Sequence, residues 1–112
     1  MKKYINYLKS EEVMDLSAEI KVSQDKIKTE TITDNEAVKI LLFSFDKGKE
    51  LKEHSTKGDV LVTILEGSAE FQIENKSYTL NKNETLIIPA GMTHKVFAKE
   101  KFKMILIIVF PY

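Results

Sequence analysis

From residue 21 onward the apolar positions fall in short runs rich in Ile, Val, Thr, Phe and Tyr, and each run ends at a polar or glycine-containing turn. That rhythm is expected of an antiparallel sandwich or barrel. It predicts strands over 26–33, 37–45, 60–66, 69–74, 76–80, 85–88, 94–98 and 102–110. In Glu70-Phe71-Gln72-Ile73-Glu74 polar and apolar residues alternate strictly, so one face meets the core and the other meets water. Asn75-Lys76 then predicts a tight hairpin, because asparagine tolerates positive φ. Nothing past residue 21 has room for crossover helices, which excludes a parallel α/β sheet. The one helical signal lies in the first twenty residues: Ser10 as a cap, Glu11 and Glu12 at the positive end of the dipole, and Val13 with Leu16 as an apolar edge. The expected organisation is an N-terminal arm with a short helix, residues 1–20, followed by a β-barrel domain, residues 21–112.

Composition narrows the function classes. A chain of 112 residues with 43% apolar side chains supports one domain and one modest core. Basic and acidic residues balance at 17 each, and every base is lysine. With no arginine to fork onto phosphate and no net positive charge, nucleic acid is not an expected partner. Cysteine is absent, which removes disulfides, thiolate metal sites and cysteine nucleophiles, and fits a reducing compartment. The N-terminus lacks the apolar core and cleavage site of a signal peptide, so the cytoplasm is the expected location. Met104 to Phe110 is the most apolar run, too short to cross a bilayer as a helix, so no membrane partner is expected. It reads as a strand greasy on both faces, needing cover from the N-terminal segment or from a second chain. The segments 47–57 and 99–103 interleave Lys with Glu and read as solvated loop faces.

Two stretches resemble the paired motifs of the cupin superfamily. The first runs from Gly48 through His54, Thr56, Asp59 and Val60 to Gly67; the second runs from Asn83 through Pro89 and Gly91 to His94 and Ala98. Gly48, His54 and Gly67 match the first motif, while Thr56 stands in place of its second histidine and Val60 in place of its glutamate. In the second, Pro89, Gly91 and His94 match, with Asn83 where glycine is usual and Ala98 where asparagine is usual. The resemblance implies an antiparallel jelly-roll barrel, a double-stranded β-helix, and a homodimer. It also implies an inward-facing metal site, but only part of the family's ligand set is present. Gly48, Gly67, Asn83, Pro89 and Gly91 are turn residues, needed where φ is positive, where chains approach closely or where a strand must stop.

His54 and His94 are the only histidines and the candidate metal ligands. Strand alternation places Val96 and Ala98 on the same side as His94, giving a pocket polar at its mouth and apolar below. Thr56, Asp59 and Thr63 are the candidate third donors, although Asp59 sits one residue off the glutamate position and period 2 turns it away. Three readings of the pair stand open. The two imidazoles hold a divalent metal such as Zn, Ni, Fe or Mn with water completing the shell, they orient a small-molecule ligand without metal, or they are core histidines satisfied by hydroxyls and backbone. Two classes therefore compete, a small metal-dependent enzyme and a binding or sensing module without chemistry, and no catalytic residue is assigned.

Overall fold

The computed structural model describes residues 3–112; Met1 and Lys2, the first residues of the expected arm, lie outside the described residues. Nine strands form: β1 (Ile27–Asp34), β2 (Val38–Phe45), β3 (Glu50–His54), β4 (Asp59–Glu66), β5 (Ala69–Ile73), β6 (Lys76–Leu80), β7 (Thr85–Ile88), β8 (His94–Phe97) and β9 (Phe102–Val109). They build a five-stranded sheet in the order β1-β2-β9-β4-β7 and a four-stranded sheet in the order β3-β8-β5-β6, with every pair antiparallel. The two sheets face each other as a jelly roll, and the all-β reading of the sequence holds.

Alternation decides what lies between the sheets. On β4, Val60, Val62 and Ile64 point inward and are closed off from solvent, while Asp59, Leu61, Thr63 and Leu65 point outward. The inner set meets Phe71 and Ile73 from β5, Val96 from β8 and Met104 and Phe102 from β9. Phe45 and Phe102 stack across β2 and β9 with ring centroids 4.5 Å apart, an offset contact that adds to plain area burial. No helix among the described residues is long and apolar enough to cross a membrane.

The outer face of β9 is covered in part by the N-terminal segment. Ile20 is buried with Ile32 and Leu42, and Leu8, Ile40, Leu65 and Ile105 pack around them. The segment is tied down at intervals: Asn6 N–H donates to the Ile32 carbonyl at 2.7 Å, Thr33 Oγ1 to the Tyr4 carbonyl at 2.8 Å, and Ser44 Oγ to the Lys21 carbonyl at 2.9 Å. Lys103 Nζ reaches the Ser17 carbonyl at 2.6 Å and Glu66 at 3.1 Å. The far end of that outer face stays open, with Ile87 and Val109 each about half exposed.

Three expectations are corrected. The helical element is a 3-10 turn, Leu16–Ala18, capped by Asp15 and not by Ser10; the Asp15 carboxylate accepts from Ser17 N–H at 3.0 Å, and Val13 stands fully in solvent instead of forming an apolar edge. The hairpin after β5 turns at Glu74-Asn75, one residue early, with Glu74 at φ 53°. The lysine-rich segment around 50–54 is a strand, β3, on the margin of its sheet, where charged side chains suit an edge that must not pair with other chains. Asn83 adopts φ 70°, and β7 stops at the residue before Pro89. Gly67 has φ 77° and lies so close to the Lys101 carbonyl that no side chain fits.

Candidate functional site

A single irregularity in β3 creates the site. Leu51 pairs with Val96 and His54 pairs with His94, so two residues on β3, Lys52 and Glu53, face one on β8, Lys95. This is a β-bulge, and because side chains alternate with period 2, one extra residue moves everything after it to the other face. In unbroken register Glu53 would lie opposite His94. The bulge puts His54 there instead, and its ring comes to 4.2 Å from that of His94, centroid to centroid, with planes at 58°.

Both rings are fixed in the same way. His54 Nδ1 lies 2.9 Å from the Lys52 carbonyl and His94 Nδ1 lies 3.2 Å from the Met92 carbonyl, in each case two residues back along the chain. A carbonyl only accepts, so Nδ1 carries the proton in both, and in the neutral rings both Nε2 atoms keep a free lone pair. A backbone carbonyl holding the non-ligating nitrogen is also the support that orients metal-bound histidines. The two environments differ. His94 is 3% exposed, whereas His54 faces solvent. Burial pulls the His94 pKa below 6.5, only partly opposed by the Met92 bond, and a charge on His54 lowers it further.

The other candidate residues do not converge on the pair. Thr56 Oγ1 donates to the Gly58 carbonyl at 2.7 Å, and the Thr56 carbonyl accepts from Gly91 N–H at 2.9 Å, so Thr56 ties the loop after β3 to the turn before β8. Asp59 points outward, as period 2 requires, and accepts from Ala90 N–H at 2.8 Å. Thr63 is on the same outer face, its hydroxyl 2.7 Å from that of Thr85. Val60 points inward at the family's glutamate position and is 1% exposed. Val96 and Ala98 share the inner face with His94 as expected, but they are packed into the continuous core, so the space below the histidines is filled by side chains. Among the described residues no third His, Cys, Asp or Glu joins the pair. The residues present therefore fit a two-imidazole site with open positions and do not fit a resident metal enclosed by three or four protein ligands.

Residues 41–110 match the cupin domain family. The chain belongs to the cupin family. Solved cupin-fold structures agree over nearly its whole length. A conserved protein of unknown function from Streptococcus pyogenes is 38% identical, with 99% of this chain and 97% of that one covered and a TM-score of 0.96. A cupin superfamily protein from Desulfitobacterium hafniense is 27% identical, with coverage of 95% and 97% and a TM-score of 0.91. A cupin 2 conserved barrel domain protein from Leptotrichia buccalis is 31% identical over 86% of this chain and 47% of that one, with a TM-score of 0.83. Among curated proteins nothing matches this cupin.

Sequence reasoning missed one part of this cupin's site. Where β3 ends, β8 begins and the β5–β6 hairpin turns, a groove of about 260 Å³ lies against His94. Glu74 shapes it: its carboxylate accepts from Thr93 N–H at 2.8 Å, its own N–H donates to the Thr93 carbonyl at 2.9 Å, and its carbonyl accepts from Gln72 Nε2 at 3.1 Å. The strict alternation ending at Glu74 was visible, but a carboxylate at a hairpin corner looks like any solvated residue until β8 is brought beside it.

Proposed function

We propose that this cupin binds a compact polar metabolite at the rim of its barrel through His54 and His94, together with a divalent transition-metal ion held by the two Nε2 atoms. One observation carries the reading: two imidazoles 4.2 Å apart, each with Nδ1 committed to a carbonyl and Nε2 left as a free donor. Two neutral nitrogen donors suit Zn, Ni, Fe or Mn and leave most of the shell to water and the metabolite. When bound, such an ion supplies Lewis acidity toward the oxygen atoms it holds. The chain's own part is to keep both rings in one tautomer and, by burying His94, to keep that ring unprotonated near neutral pH.

The missing third protein donor favours a second reading, in which the same Nε2 atoms accept hydrogen bonds directly from a metabolite with no ion between them. Elemental analysis separates the two. Untagged protein equilibrated with each of the four metals and then desalted is compared with its His54→Ala and His94→Ala variants. Retention of about one equivalent, lost in both variants, supports the metal reading. No retention of any of the four overturns it in favour of the metal-free one.

A further inference from the structure

We propose that the groove beside His94 takes the charged head of an amino acid, a small zwitterion carrying both an ammonium and a carboxylate. The inference deepens the reading of the histidine site, since His94 is a wall common to both, but it requires no metal. Its basis is the charge inventory of the groove. Glu53 and Glu74 contribute carboxylates and Lys95 contributes an ammonium. Among the described residues Lys95 forms no ion pair, and neither glutamate does. Opposite charges gathered in one concave space without neutralising each other remain available to a ligand that brings both signs.

The register sets where each of these charges lies. The bulge that brings His54 opposite His94 leaves Glu53 on the groove side. On the outer face Lys95 lies between Gln72 of β5 and the Lys52–Glu53 bulge of β3, and it forms an ion pair with neither Glu53 nor Glu74. Glu74 is fixed at the hairpin corner by its two bonds to Thr93, which engage one carboxylate oxygen and leave the other free. It holds this place at φ 53°, a left-handed conformation costing a non-glycine residue about 1–2 kcal/mol. That conformation is the one a two-residue hairpin requires at its first central position.

The chemistry selects among ligands. A neutral polyol would strip water from Glu53, Glu74 and Lys95 without offsetting the charges. A simple anion would meet two carboxylates, and a simple cation would meet the ammonium. A zwitterion places its ammonium between the glutamates and its carboxylate on Lys95, so each charge meets its opposite. The volume of about 260 Å³ is at the small end for ligand sites and suits an amino acid rather than a nucleotide.

The test is a titration of the metal-free full-length chain by amide NMR, with L-glutamine as probe and glycerol, acetate and ethylammonium as controls. Saturable shifts are expected at Gln72, Asn75, Thr93 and Lys95, with the three controls at least about tenfold weaker. Glu53→Gln and Lys95→Gln should each weaken L-glutamine binding about fivefold or more, while Lys28→Gln on β1, remote from the groove, leaves it unchanged. Absence of saturation at about 50 mM, equal binding of glycerol, or full affinity in both groove variants overturns the proposal. Metal retention without amino-acid binding removes this inference and leaves the metal reading standing; amino-acid binding to protein that retains no metal does the reverse.

Discussion

Glu74 and Thr93 hold each other by two hydrogen bonds, amide to carboxylate at 2.8 Å and amide to carbonyl at 2.9 Å, and so fix the hairpin corner to the residue before His94. The two energies involved are comparable. The left-handed φ of Glu74 costs about 1–2 kcal/mol, and the carboxylate bond returns about 1 kcal/mol. Glu74→Ala keeps the strain and loses the bond, so it should destabilise by about 1 kcal/mol. Glu74→Gly loses the bond but relieves the strain, and should cost less than about 1 kcal/mol. Urea unfolding measures both; an alanine variant as stable as the glycine one would mean that the strain is not there.

His94 gives the metal-free protein a pH dependence of known sign. Burial lowers its pKa below 6.5, so in the window between that folded value and 6.5 the unfolded chain binds more protons than the folded one. Stability from this group is complete above pH 6.5, falls as pH drops through the window, and levels off below the folded pKa. Thermal melts in the presence of a chelator should show that slope in the wild type and lose it in His94→Leu. A slope unchanged by the substitution would assign the effect elsewhere.

Val60 occupies the family's glutamate position on the inner face and is 1% exposed. Val60→Glu puts an uncompensated carboxylate among apolar side chains and should destabilise the metal-free chain by about 3–5 kcal/mol. If the histidines hold a divalent ion, the new carboxylate becomes a third donor, and zinc should recover part of the lost melting temperature by mass action. Equal zinc responses in wild type and variant would argue against metal at the pair.

Lys103 is a partly buried fastener, with its side chain 12% exposed and its ammonium shared between Glu66 and the Ser17 carbonyl. Lys103→Met preserves the stem and removes the charge, leaving the carbonyl unpaired at a cost of about 1–3 kcal/mol. Hydrogen exchange should then accelerate around Leu16–Ala18 more than in β5 or β8. Uniform acceleration across the chain would point to a global effect instead.

Most of the fold was legible because β4, β5 and β9 announce themselves by alternation or by unbroken greasiness, and that signal survives any packing. The convergence of His54 and His94 was legible through the two motifs that frame them. Strand β3 was not, since Glu50–His54 contains one leucine among charged residues, and its pairing is imposed by β8 rather than by its own preference. The cap at Asp15 was hidden by an equally good capping residue at Ser10, and only the position of β4 and β9 chooses between them. Glu74 and Lys95 acquire their roles from neighbours distant in sequence, which periodicity does not register. The expectation of open space beneath the histidines failed for a simpler reason: alternation says which way side chains point, and not whether they fill the room between two sheets.

One imidazole of the pair belongs to a strand hydrogen-bonded on both flanks, the other to a strand with a neighbour on one flank only. Unzipping of a marginal strand is a routine local fluctuation, far less costly than unfolding the barrel. Fraying of β3 would carry His54 away while His94 stays put, so anything bridging the two rings would in turn hold β3 closed. A ligand bridging the two rings would therefore also order the five residues Glu50–His54.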